Sequence, residues 1–167
     1  HGQMGYKIAH FRFSTYMSPR KKNRAGKTSE SNGPELFIGL VGAIGTDLDY
    51  LSYLFKESLS QVGYRCEPIH LIEEIHAFSR WQSLPESPLE ERYISHIKAG
   101  DEFREAFELG DALARWSIVS IRERLRKSSS SNRDPNEPIS RCAYLLRSLK
   151  HPDEVRLLRN IYGPNFQ

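Results

Sequence analysis

Two cysteines, Cys66 and Cys142, are too few for a disulfide framework, and a reducing cytoplasm is the simpler home for such a chain. No apolar run approaches the roughly 20 residues that a membrane helix needs, so no membrane partner is expected. The N-terminus also lacks the apolar core of a signal peptide. Acids are nearly missing from the first 34 residues, where seven bases stand against Glu30 alone and give +6. The remaining 133 residues carry 17 bases and 20 acids, or −3. The formal charge of +3 over 167 residues is therefore a basic arm joined to a mildly acidic domain.

Residues 1–34 read as a mostly disordered arm. His1-Gly2-Gln3 read as a cloning remnant ahead of a native start at Met4. Residues 18–34 hold almost no apolar side chains, so little burial is available to offset the entropy of ordering. Residues 35–167 read as one α/β domain. Leu36 to Val41 is a continuous apolar run, as in a parallel strand buried on both faces. Leu48, Leu51, Phe55, Leu59 and Val62 then recur at helical spacing, and Gly63 stops the helix. Tyr64 to Ile72 follows as a second strand, completing a βαβ unit. A short helix and an irregular loop are expected over 73–88, and a long helical region over 89–126 that Gly100 breaks or kinks. Ser128 to Pro138 is a polar loop. Ala143 to Leu146 reads as a third strand, and Pro152 to Ile161 as a helix stopped by Gly163-Pro164. Three strands make a thin sheet. The expectation is the N-terminal part of a longer protein, truncated on its C-terminal side, or a sheet completed by a partner.

Chemistry concentrates in the loop after the first strand, Gly42-Ala43-Ile44-Gly45-Thr46-Asp47. Glycines let backbone N–H groups crowd a phosphate, and a helix N-terminus adds about half a positive charge. Against the pattern G-x-x-x-x-G-K-[ST], Gly45 takes the last glycine, Thr46 the lysine slot and Asp47 the hydroxyl slot, while Leu40 replaces the first glycine. The missing lysine removes the usual stabilisation of a transferring phosphoryl group. Asp47 would repel phosphate unless it holds a metal or caps the helix. The bland alternative is a tight turn with no ligand. Gly26-Lys27-Thr28 has the right letters but no strand before it and Lys21 where a glycine belongs.

Glu35-Leu36-Phe37-Ile38-Gly39-Leu40-Val41-Gly42-Ala43-Ile44-Gly45-Thr46-Asp47-Leu48 resembles the opening of the N-terminal kinase-like domain of the anti-phage cytidylate deaminases. Ala99-Gly100-Asp101-Glu102-Phe103-Arg104 with Gly110-Asp111-Ala112-Leu113-Ala114 resembles that domain's substrate-side helical motif. Arg147-Ser148-Leu149-Lys150-His151-Pro152-Asp153-Glu154-Val155 resembles its strand-end segment. The resemblance implies a three-layer α/β/α P-loop NTPase-like domain with a parallel sheet. It implies a nucleotide ligand (ATP, or a deoxynucleotide such as dCTP or dTTP), with magnesium as its companion. The implied partners are a C-terminal deaminase domain, further copies of the chain in a homo-oligomer, and a regulatory RNA. The parent activity would be deamination of dCMP or dCTP, depleting the nucleotides a phage needs. Zinc is expected only in the deaminase domain, whose His/Cys-x-Glu and Pro-Cys-x-x-Cys segments are not in this chain. No catalytic or metal-ligating residue is assigned here.

The candidate binding residues are Gly42, Ala43, Ile44, Gly45, Thr46, Asp47, Arg104, Asp111, Arg147 and Lys150. Arg104 can reach a phosphate or base, or simply pair with Glu108 one helical turn on. Asp111 can orient Arg104 or a ribose hydroxyl, or be a surface acid. Arg147 and Lys150 follow the third strand, at the edge where ligands of open α/β sheets gather. They are the candidates to replace the loop lysine, and otherwise form a cationic turn. Cys66, His70 and His76 read as structural rather than as a zinc set. Trp116, Phe103 and Phe107 read as packing, and His151-Pro152 as helix entry. Two other functions compete: an active nucleotide kinase, and a scaffold that oligomerises and binds nucleic acid through its arm.

Overall fold

The computed structural model describes residues 33–128 and 138–167. Most of the expected basic arm, the Gly26-Lys27-Thr28 run and nearly all of the Ser128–Pro138 loop lie outside the described residues. The chain divides into His1–Glu30 and Ser31–Gln167, and the second unit holds every described element.

That unit is mixed α/β. Its elements are β1 (Leu36–Leu40), α1 (Leu48–Gln61), β2 (Arg65–His70), two 3-10 turns (Glu73–Ala77 and Ser79–Trp81), α2 (Leu89–Phe107), α3 (Ala112–Ser128), β3 (Cys142–Arg147), α4 (Pro152–Tyr162) and a 3-10 turn at Gly163–Asn165. The strands form a parallel sheet in the order β1-β3-β2. β3 sits in the middle, which explains why Cys142 to Leu146 are all buried. Phe166 bridges Phe37 in parallel on the other side of β1, where Gly39 N–H donates to the Gln167 carbonyl and Gln167 N–H to the Phe37 carbonyl.

Side chains alternate between sheet faces, and the two faces are covered unequally. Phe37 and Tyr144 lie on one face, stacked on each other, with Tyr162 of α4 against Phe37. The opposite face carries Arg147, which pairs with Asp49 of α1. α1 packs on β2 and β3. It therefore leaves β1 half covered: only Phe37 is buried there, and Leu36, Ile38 and Leu40 are not. This corrects the expectation of a strand buried on both faces. The helical stripe of α1 is also less buried than its spacing implies. No residue of α1 is buried, and Val62 is 60% exposed. Tyr50 and Tyr53 on its outer side are exposed as well.

The 89–126 region is two helices, and the break is not at Gly100. α2 runs through Gly100, which is buried under Ile72 and Leu113. It ends at Glu108, whose φ of 55° is left-handed, and whose N–H bonds back to Glu105. Gly110 follows where a Cβ would come within 2.5 Å of the His151 ring, so α3 starts against the entry of α4. The short helix expected after residue 73 is the pair of 3-10 turns. Phe78, Trp81, Phe103 and Trp116 pack edge-on or tilted into one cluster there, and Trp116 Nε1 donates to the Glu74 carbonyl at 2.8 Å. α4 begins as its sequence suggests. His151 caps it by accepting from Asp153 N–H, Pro152 occupies the first turn, and Glu154 bonds back to the His151 N–H.

Among the described residues, the Tyr144 hydroxyl is one of several buried polar atoms without a hydrogen-bond partner, and burial together with nearby Cys142 pushes its pKa far up. Tyr144→Phe should leave stability unchanged or raise it by about 1 kcal/mol, since an unsatisfied buried donor is costly. Urea unfolding would read this, and a loss of more than about 1 kcal/mol would show that the hydroxyl is bonded.

Candidate functional site

The carboxyl ends of the three strands are aligned. Leu40 and His70 both stand beside Arg147 in the register. A cavity of about 510 Å³ opens at this edge. Its walls are the 42–47 loop, the strand ends, one face of α2, and the turn from β3 into α4.

The loop is shaped by its own bonds. Thr46 N–H returns to the Ala43 carbonyl at 3.1 Å, and Gly45 in that turn has φ of 91°, a conformation that favours glycine. Asp47 is the N-cap of α1, its Oδ1 accepting from Tyr50 N–H at 2.8 Å. Of the two roles open to this acid, helix capping is the one seen. Among the described residues, no hydrogen bond engages the N–H groups of Ala43, Ile44, Gly45 and Asp47. All four residues are exposed, and all four line the cavity.

Three cations, from α2 and from the end of β3, line the same cavity as this loop. Lys150 Nζ donates to the Gly42 carbonyl at 3.3 Å, and Leu149 N–H bonds Leu40, so the turn after β3 is stitched to the loop after β1. Arg147 pairs with Asp49 at 2.8 Å, and its buried Nε has no partner. Arg104 is held by Asp101 at 3.2 Å and by Glu154 at 2.8 Å, not by Glu108, and its Nε is likewise buried without a partner. Glu154 is fully buried, and it also accepts from the N–H groups of Lys150 and His151. One carboxylate thus fixes both the Arg104 guanidinium and the turn that carries Lys150.

The predicted loop residues, Arg104, Arg147 and Lys150 all line the cavity. Asp111 does not: both its oxygens are taken by Arg115, at 2.6 and 2.7 Å. Ile72, Tyr93, Ile97 and Leu113 give the lining an apolar part on the α2 side, with Arg92, His96 and Arg104 among them. Sequence reasoning singled out neither Glu154 nor the His70–Ser148 contact. The Glu at the third position of the last helix was the visible signal for the first. Among the described residues, no group of three His, Cys, Asp or Glu is arranged to hold a metal ion. No described helix is long and apolar enough to cross a membrane. Comparison of the chain with family models, with curated proteins and with solved structures finds no match.

His70 lies at the cavity edge. Its Nδ1–H donates to Glu73 at 2.5 Å, and this bond holds the Glu73 carboxyl below its ordinary value of 4.5. A carboxyl with a depressed folded pKa adds stability above the unfolded pKa and loses it as the pH falls through the folded one. Glu73→Gln should therefore flatten the loss of melting temperature below about pH 4.5. Melting curves from pH 6 to pH 3 (roughly the carboxylate range) would show it. An unchanged acid limb would remove this pair from the stability of the fold.

Proposed function

We propose that the domain binds a nucleotide by its phosphates at the aligned strand ends, with the base toward the apolar wall of α2. The observation that carries this reading is Lys150. Its ammonium stands 3.3 Å from the Gly42 carbonyl, beside the loop whose own lysine slot holds Thr46. Free loop N–H groups, the N-terminus of α1, and the Arg147 and Arg104 guanidiniums supply the remaining positive potential. A divalent cation travelling with the phosphates would meet Asp47 and Asp49 on the loop side.

The segments that resemble the kinase-like domain of the cytidylate deaminases each contribute to this cavity: the loop, Gly100 to Arg104 with Leu113, and Arg147 to Lys150. The strand order with Phe166 beside β1 also fits a P-loop NTPase plan. On this support the finer reading is a nucleotide-sensing or substrate-handling domain of a dCTP or dCMP deaminase in phage defence. Calorimetry with ATP, dCTP and dTTP tests the binding. At least one should bind with Kd below about 1 mM. No binding to any of the three, with the fold intact by circular dichroism, overturns the reading. The placement of Lys150 favours active phosphoryl transfer as a second reading. Its test is transfer from ATP to a deoxynucleoside monophosphate that Arg147→Ala abolishes.

A further inference from the structure

At the cavity edge, where Ser148 and His70 line it, a hydroxyl, an imidazole and the Glu73 carboxylate behind them form a chain. Ser148 Oγ lies 3.4 Å from His70 Nε2, and His70 Nδ1–H donates to Glu73 Oε1 at 2.5 Å. The Glu73 bond fixes the tautomer, so Nε2 presents its lone pair to the serine. Ser148 directly follows the central strand, and its φ of 64° is a left-handed value that a serine rarely adopts. A hydroxyl within reach of a base that is itself oriented by a third group is the arrangement of an activated nucleophile.

The surroundings decide what such a nucleophile would attack. Acyl transfer needs backbone N–H donors for a developing oxyanion. Here the Leu149 N–H is bonded to Leu40, and those of Lys150 and His151 to Glu154. Arg147 and Lys150 line the cavity together with Ser148, and their charges suit the spread charge of a phosphoryl group. We infer that Ser148, activated by His70 and Glu73, accepts the terminal phosphoryl group of a nucleoside triphosphate held in the cavity. This inference rests on the nucleotide reading of that cavity.

In the step, Ser148 Oγ forms a bond to the terminal phosphorus. The bond from that phosphorus to the bridging oxygen breaks, and its electron pair leaves on the nucleoside diphosphate. The serine proton moves to His70 Nε2 and then to water. Arg147 and Lys150 offset the charge on the three equatorial oxygens.

The experiment uses the full chain with two phosphorus electrophiles, a fluorophosphonate probe and ATP with magnesium, read by peptide mass spectrometry. Both should modify Ser148. Ser148→Ala should remove the modification. His70→Gln should slow it at least about tenfold, since a positioned general base contributes roughly 10²–10⁴ in rate. Glu73→Gln, at a solvent-exposed position, gives a second and milder variant that should also slow it. Circular dichroism reports the fold of each variant, and calorimetry reports ATP binding separately. ATP that binds without transfer to Ser148 overturns the acceptor role and leaves the binding reading standing. A Ser148 adduct whose rate is the same in both folded variants also overturns it. A His70-dependent fluorophosphonate adduct in a chain that does not bind ATP supports the nucleophile and overturns the nucleotide reading.

Discussion

Glu154→Ala is expected to lower the unfolding free energy by about 3–5 kcal/mol, the usual cost of removing one partner of a buried ion pair. Glu154 is fully buried, and its two oxygens take donors from Arg104, Lys150 and His151. Alanine would leave the Arg104 guanidinium, itself largely buried, without its best counter-charge. It would also strip two N–H groups at the start of α4 of their acceptor, each worth roughly 1 kcal/mol or more when buried and unpaired. Glu154→Gln keeps one acceptor oxygen but turns an amide toward Arg104, so a smaller loss of about 2–3 kcal/mol is expected. Urea denaturation of both variants checks this. A loss under about 1 kcal/mol for the alanine variant would show that Glu154 is not the anchor of this corner.

The second large effect is on ligand binding. Lys150→Ala should weaken the best nucleotide found by calorimetry by about tenfold to a hundredfold, since a hydrogen bond to a charged group is worth about 1.5–3 kcal/mol. Lys150 is exposed, so its removal should change stability by no more than about 0.5 kcal/mol. This separation of binding from folding is the informative part. Arg147→Ala should weaken binding comparably, while also releasing Asp49 into the loop region. Lys150→Arg should keep most of the affinity, because the charge is retained near the Gly42 carbonyl. A Lys150→Ala protein that binds ATP as tightly as the parent would show that this ammonium does not stand in for a loop lysine.

Several parts of the fold were legible because they are set by local forces. The apolar run of β1, the glycines after it and the spacing of α1 rest on neighbours within a few residues. So does the entry of α4, where His151, Pro152 and Glu154 form a cap from four successive positions. The errors share a cause. Gly100 looks like a helix breaker by propensity, yet it is buried under Ile72 and Leu113, and packing of the helix outweighs a cost of about 1 kcal/mol. Apolar β1 and α1 residues were expected inside, yet α1 lies over β2 and β3 and leaves them half covered. Burial depends on what a distant segment covers, which periodicity does not report.

The candidate site divides the same way. By itself the sequence determined the order of the elements, the Gly42–Asp47 loop at a strand-to-helix junction, and a short supply of cations at the end of β3. Those follow from backbone preference and side-chain period, which act along the chain. Only the tertiary structure decided that β3 enters between β1 and β2, bringing Arg147 level with Leu40 and His70. It also decided that Glu154 holds Arg104 across 50 positions and that Ser148 meets His70 across 78. Such pairs form because parallel strands stack their carboxyl ends on one edge, and strand order is a property of the packed sheet rather than of any one segment.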